Sequence, residues 1–352
     1  MLLKNPSVLI IKPSSFGDVI HALPVARAVK LADPGLAVDW VVADNLEPLV
    51  AMSPFVDKAI PFRRARWTKW WRPAVWAEIS GQIKALRGKE YGAVIDLQGL
   101  LRSGLVAIAS RGVVKAGFDN AREGATLFYN LKVKTPEGAV HAVDRYMAVL
   151  SALGIAHQGP PDCGLVEKEE DAAWAERTLP KTPFAVVNPN SRWATKRWPL
   201  ERFGQLCRLL QSRFGHGIVI IGGAEDSAAG AALCAMAGPG ALDLTGKTSP
   251  AMLAAAFRRM EALFTNDSGP LHLAVAAGGR TVSIFGPTDP AKTGPYTGAF
   301  PENHIVIRSK RGCSPCFLRQ CPYNHECMTD IEPAMVAEAW GARGVMEAQR
   351  RG

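Results

Sequence analysis

Short runs of β-branched and apolar residues, each followed by a stretch with helical periodicity, recur along this 352-residue sequence. Strands that are apolar on both faces belong inside a parallel sheet, and the amphipathic segments between them cover its two sides. In the first half Val8–Lys12, Ala37–Val42, Ala93–Leu97 and Val114–Phe118 read as strands, with helices at Asp18–Leu31, Trp76–Arg87 and Val140–Leu153. The alternation lapses between Gly154 and Pro183, a stretch with four prolines and an acidic cluster, which reads as a linker with a helix near Asp171–Thr178. It resumes with strands at Phe184–Val187, Ile218–Ile221, Leu242–Leu244, Leu263–Thr265, Thr281–Phe285 and Ile305–Arg308. Helices fit Leu200–Phe214, Glu225–Ala237, Pro250–Arg259, Leu271–Ala277 and Pro333–Ala348. The length suffices for two hydrophobic cores. The expectation is therefore an α/β protein of two consecutive doubly wound units, whose ligands sit beyond the carboxyl ends of the strands.

Composition narrows the function classes. Hydrophobic residues at 48% and charged residues at 21% exclude a disordered, collagenous or coiled-coil chain. No stretch approaches the ~18 apolar residues of a spanning helix, and the apolar run Val8–Ile11 is too short for a signal-peptide core. Seven cysteines, an odd number, fit a reducing cytosol better than a disulfide framework. The net charge of +9 favours an anionic partner without choosing among nucleotide, nucleic acid and lipid head group.

Five segments at strand ends carry candidate chemistry. The first strand exits into Lys12-Pro13-Ser14-Ser15-Phe16-Gly17-Asp18, which lacks the Gly-Lys-Ser/Thr of a Walker A loop and is not a GxGxxG. At a helix N-terminus the Asp18 carboxylate is kept ionised, as a proton acceptor or as a plain cap, and His21 lies one turn on. In the second half, Asn266-Asp267-Ser268-Gly269 leads into a helix carrying His272, where freed amides can meet a phosphate or be capped by Asp267 or Ser268. The neighbouring turn Phe285–Pro290 adds a hydroxyl and amides. The segment Asn188–Pro199 places Ser191, Thr195 and Lys196, with Arg192 and Arg197, just past another strand, and lysine there suits a pyrophosphate leaving group. Gly222-Gly223-Ala224-Glu225 ends the next strand, where Glu225 can accept from a sugar hydroxyl or stay solvated.

Two segments stand apart. Between Phe62 and Trp76, Arg63, Arg64, Arg66, Lys69 and Arg72 alternate with Trp67, Trp70, Trp71 and Trp76, and no acid intervenes. That mixture suits a membrane interface, a bulky phosphorylated acceptor, stacking on single-stranded nucleic acid, or a tryptophan packing face with solvated arginines. Cys313, Cys316, Cys321 and Cys327, with His325 nearby, can supply four thiolates to a structural Zn or Fe, or can be reduced thiols or disulfides.

Taken together, KPSSFGDVIHALP, DLQGLLRS (96–103), HAVDRY (141–146), TKRWP (195–199), NDSGPLHLA (266–274) and FGPTDP (285–290) resemble the family 9 glycosyltransferases, the bacterial ADP-heptose:lipopolysaccharide heptosyltransferases. The resemblance covers nearly the whole chain, and the cysteine segment looks like one found in a subset of these enzymes. It implies a GT-B architecture of two Rossmann-like domains facing an interdomain cleft. The acceptor-binding domain would be 1–160 and the donor-binding domain 184–330, with a helix at 331–352 returning to the first domain. It also implies transfer of heptose from ADP-L-glycero-D-manno-heptose to the inner core of lipopolysaccharide (lipid A core), with inversion and with no cofactor required for catalysis. Asp18 maps onto the base, and Lys196, Asp267, Ser268, Gly269 and His272 map onto donor contacts, beside Ser191, Thr195 and Glu225. Pro270 and Leu271 stand where some members have Leu-Ser. Ser15, Gly17, Arg63, Arg64, Arg66 and Lys69 are the acceptor-side candidates. The expected setting is cytoplasmic, peripheral to the inner membrane, as a monomer without nucleic acid. The alternatives are another nucleotide sugar, a protein or glycan acceptor, or a non-catalytic nucleic-acid-binding protein.

Overall fold

A computed structural model describes residues 5–63, 71–157, 159–296, 298 and 301–351, with side chains described to position 343. The chain divides into two compact units, Met1–Val166 and Glu167–Gly352. Each contains one six-stranded, wholly parallel sheet.

In the first unit the strands are β1 (Ser7–Ile11), β2 (Ala37–Ala43), β3 (Lys58–Phe62), β4 (Glu90–Asp96), β5 (Arg111–Phe118) and β6 (Leu131–Val133), in the order β3-β2-β1-β4-β5-β6. Every residue of β1 is buried, as its unbroken apolar run demands of a central strand, and Val8 pairs in register with Val38 and with Ala93. Its helices are α1 (Phe16–Ala32), α2 (Pro73–Arg87), α3 (Leu101–Ala109) and α4 (Ala142–Ala152). Pro61 confines β3 to the edge, because proline cannot donate to a ladder on both sides.

The second unit has β7 (Phe184–Asn188), β8 (Gly217–Ile220), β9 (Leu242–Asp243), β10 (Ala262–Asn266), β11 (Thr281–Phe285) and β12 (His304–Arg308), in the order β12-β11-β10-β7-β8-β9. Counted from its own first strand, this is the same order as in the first unit, and it is the Rossmann order. The helices are α5 (Glu169–Thr178), α6 (Leu200–Phe214), α7 (Ser227–Ala237), α8 (Pro250–Phe257), α9 (Gly269–Ala276) and α10 (Pro333–Arg351). Helix α6 shows a polar-apolar division and stops at Gly215, whose φ of 67° terminates it at little steric cost.

Helix α3 and strands β3 and β6 went unread: α3 is apolar on both sides, with Val106 and Ala107 buried and Leu105 and Ile108 exposed, so no helical period stands out. The helix expected near Asp171–Thr178 is α5, which packs on α8, and Arg259 pairs with Glu167 and Glu176. In α10, Val336, Ala337 and Trp340 are buried in the second unit's core beside Leu206 and Phe264. The Trp340 indole N–H reaches His216 Nε2 at 3.3 Å. Three apolar residues within five positions make one stripe, and the groove beside α6 takes it. Among the described residues no helix is long and apolar enough to cross a membrane.

Candidate active site

In the first unit, β1 ends at Ile11 and α1 begins at Phe16, leaving four residues to turn the chain; the Ser14–Ser15 peptide is cis. Asp18 is the third residue of α1. Its Oδ2 accepts the Ser15 amide at 3.0 Å and the Ser15 hydroxyl at 2.7 Å. The carboxylate therefore closes the start of the helix while remaining partly exposed. The cap and the proton acceptor are not rival descriptions, because a carboxylate with two acceptor oxygens can hold its own helix end and still meet a substrate.

Beneath this turn lies Lys12, only 3% exposed, donating to the Leu97 carbonyl at 3.2 Å and standing 5.0 Å from the Tyr146 ring centroid. Burial disfavours its ammonium, but the Tyr146 phenol and the carboxylates of Asp18 and Asp96 together lift its pKa above the ordinary lysine value. Asp96, at the end of β4, is fully buried, and burial raises its pKa against hydrogen bonds from Tyr129, Ser103 and the amides of Gly99 and Gln98. His21 is buried with its ring edge-on to His141, 5.0 Å between centroids, while His141 Nδ1 caps α4 by accepting the Val143 amide. His21 thus serves packing.

The second unit assembles its polar residues at the carboxyl ends of β7, β10 and β11, adjacent strands. Asp267, just past β10, is the hub. Its Oδ2 accepts from Lys196 Nζ at 2.6 Å and from the Thr288 hydroxyl at 2.7 Å, and its carbonyl accepts from Ser191 Oγ at 2.9 Å. The Lys196 side chain is 16% exposed and that of Asp267 only 5%, so the pair turns its cation outward. One carboxylate oxygen shared by an ammonium and a hydroxyl leaves the ammonium able to bind a second anion.

Ser268 occupies the N-cap position of α9, yet its hydroxyl does not cap it. It bonds instead with Asn188 Nδ2 and Thr265 Oγ1, both at 3.0 Å. Those groups fix the turn from below, leaving the helix start around Gly269 without a side-chain cap. Asn266 adds two more ties, accepting the Trp198 amide at 3.0 Å and donating to the Pro189 carbonyl at 2.8 Å. Glu225 lies exposed beyond β8, on the same sheet edge but outside this network. His272 is buried in the first turn of α9.

Of the acceptor-side candidates, Ser15 bonds Asp18, Gly17 sits in the first turn of α1, and Arg63 pairs with Glu78 of α2 at 3.4 Å. The basic run is acid-free in sequence but not in space. Arg64, Arg66 and Lys69 lie outside the described residues, as do Trp67 and Trp70. Trp71 and Trp76 are 64% and 57% exposed.

Cys313, Cys316, Cys321 and Cys327 line one cavity of about 100 Å³ together with Thr195, Leu318 and His325. All four are free thiols. Among the described residues, however, no three His, Cys, Asp or Glu side chains are gathered so as to hold a metal ion. Burial, with Cys313, Cys321 and Cys316 nearby, pushes the Cys327 thiol up to about 11, so it is protonated at neutral pH. No step below passes through a metal.

The family model of glycosyltransferase family 9 (heptosyltransferase) matches residues 80–326. The chain belongs to that family. As a member it is an enzyme, a glycosyltransferase. Lipopolysaccharide heptosyltransferase 1 of Pseudomonas aeruginosa is 32% identical over 326 residues, 90% of this chain and 87% of that protein. The Escherichia coli K12 protein of the same name is 32% identical over 313 residues, 86% of this chain and 94% of its own. The solved structure of E. coli heptosyltransferase WaaC with ADP superposes with a TM-score of 0.80 at 29% identity, covering 96% of this chain and 99% of that one. The fold expectation of two Rossmann-like domains of GT-B type holds.

Asn188 and Thr265 are members of the site that the sequence left without a role, whereas Thr288 is the hydroxyl of the Phe285–Pro290 turn. A signal for the first two existed: each is polar at the carboxyl end of an otherwise apolar parallel strand, where only a loop-facing function compensates for burying a polar group.

Proposed function

We propose that this glycosyltransferase moves heptose from ADP-L-glycero-D-manno-heptose to the inner core of lipopolysaccharide, inverting the anomeric centre. The observation that carries the reading is the Lys196–Asp267–Thr288 cluster beside an uncapped helix start, an arrangement that holds a cation outward for a pyrophosphate. The nature of the sugar and acceptor is supported by the relatives' names, lipopolysaccharide heptosyltransferase 1, over nine-tenths of the chain.

Asp18 takes the proton of the acceptor hydroxyl as that oxygen bonds to the anomeric carbon. The bond from that carbon to the β-phosphate oxygen breaks, and its electron pair leaves with ADP. Lys196 and the amides near Ser268 and Gly269 offset the charge that develops on the departing diphosphate, so the chemistry requires no cofactor. Ser191, Thr195, Glu225 and His272 complete the donor side, and Ser15, Gly17 and Arg63 the acceptor side.

The setting we propose is cytoplasmic, peripheral to the inner membrane, as a monomer. Its support is the pair of exposed indoles, Trp71 and Trp76, next to a basic run, a combination that partitions to an anionic interface. Flotation with anionic vesicles checks this: binding that falls with salt and with Trp76→Ser supports it, and no binding at low salt excludes it.

The deciding experiment incubates the full chain with ADP-heptose and a truncated lipid A core. Product mass increased by one heptose, with one ADP released per transfer, is expected. Turnover only with a different nucleotide sugar, or only on a protein or glycan acceptor, would overturn the substrate assignment.

A further inference from the structure

The loop after β12 stands out in the sequence by its cysteines, but what it brings to the donor side is a cation. Three hydrogen bonds attach this loop to the two donor loops. The Thr195 hydroxyl donates to the Leu318 carbonyl at 2.9 Å, the Phe317 amide donates to the Pro287 carbonyl at 2.8 Å, and the Ser314 hydroxyl donates to the Gly286 carbonyl. Thr195 is buried and precedes Lys196; Leu318 precedes Arg319. The first bond therefore zips together two chain segments whose next residues are both cations. Pro287 precedes Thr288, the hydroxyl that shares Asp267 with Lys196, so the second bond ties the same loop to the hub from its other side.

The outcome is visible at Trp193. Lys196 Nζ lies 4.7 Å from the centroid of its indole, and the Arg319 guanidinium carbon lies 4.9 Å from the same centroid. A cation resting on tryptophan gains enough to orient a guanidinium but not to neutralise it. Arg319 is exposed, and among the described residues no carboxylate pairs with it. Two like charges on one ring repel each other, and an anion bearing more than one charge would offset both. A diphosphate is such an anion, and the planar guanidinium fork matches two of its oxygens where an ammonium addresses one.

We propose that Arg319 is a donor-binding residue, holding the pyrophosphate of the nucleotide sugar jointly with Lys196. The inference rests on the donor reading given above. It also gives the cysteine loop a task that needs no metal: its backbone is wound tightly, with Phe317, Asn324 and His325 at positive φ and the Cys321 sulfur accepting the amides of Tyr323 and His325, and it delivers Arg319 to Trp193.

The test is ADP binding by titration calorimetry on the full chain, with steady-state KM for both substrates, for wild type, Arg319→Lys, Arg319→Ala, Arg319→Glu and Lys196→Ala. A hydrogen-bonded charge contact is worth about 1.5–3 kcal/mol, so Arg319→Ala is expected to weaken ADP and raise the donor KM roughly 10- to 100-fold. The acceptor KM should stay unchanged. Affinity should fall in the order Arg, Lys, Ala, Glu, because the interaction follows charge; a merely structural role would not produce that order. Unchanged ADP affinity in Arg319→Ala, or equal losses in the Lys, Ala and Glu variants, overturns the inference. If Lys196→Ala loses ADP while Arg319→Ala does not, only Arg319 is removed from the site. If wild type itself binds no ADP, the donor reading fails and this inference with it.

Discussion

The two units share one strand order, and each places a lysine from the loop after its first strand near an aspartate at the end of its fourth, yet they expose opposite charges. In the first unit Lys12 and Asp96 are both buried beneath the turn, and the carboxylate of Asp18 is left partly open above them. In the second unit the aspartate is the buried partner: Asp267 is pinned by Thr288 and Ser191, and Lys196 emerges. A buried charge is tolerated only when paired, so burying one sign beneath a loop fixes which sign the loop can present. One topology thus presents a carboxylate in one unit and an ammonium in the other.

The sharpest way to break this comparison is Asp18→Asn. Loss of turnover by roughly 10²- to 10⁴-fold with ADP affinity retained is expected for a general base; near-normal turnover in stopped assays would remove Asp18 from the chemistry. Next comes Lys196→Ala, for which kcat should fall about 10²-fold and ADP should bind more weakly, whereas acceptor KM should hold. An unaltered donor dependence would show that the outward cation of the second unit is not used.

Lys12→Met tests whether the buried cation governs the exposed carboxylate. Because the Asp18 charge raises the lysine's pKa, the ammonium must in turn favour the ionised carboxylate. Its removal should move the acid limb of the kcat/KM profile to higher pH, and a limb that does not move would decouple the two groups.

The smallest effect lies away from both sites, on the edge strand β12. Burial, reinforced by Arg343, lowers the His304 pKa to about 4. A histidine depressed in the folded state gives stability that is complete above its unfolded pKa, roughly 6.5, and is lost as pH falls toward 4, on the order of 2–3 kcal/mol in all. Denaturant unfolding of His304→Asn should therefore depend less on pH between 6.5 and 4 than wild type does, with catalysis untouched; parallel curves would count against it.

Much of this was legible in the sequence, and particular elements show why. Central strands such as β1, β7 and β11 are apolar throughout, and α6 alternates cleanly, so their periodicity survives reading one residue at a time. Strand β6 has three residues and α3 is apolar on two sides, so neither leaves a period to find. The loops at Asp18, Lys196 and Asp267 announced themselves because small, charged and hydroxyl residues follow apolar strands, whereas Thr288 and Arg319 are ordinary residues made significant by neighbours twenty-one and more than a hundred positions away.

By itself the sequence determined that there are two parallel α/β units, that Asp18, Lys196 and Asp267 sit at strand-to-helix turns, and that the chain resembles family 9. Those properties follow from local pattern, since burial on both faces of a strand and the chemistry of a helix start are set within a few residues. Only the tertiary structure decided that α10 is bound into the second core, that Asp18 closes its own helix while staying open, and that Arg319 shares an indole with Lys196. Each of these depends on which distant side chains compete for one volume or one charge, and sequence spacing carries no record of that competition.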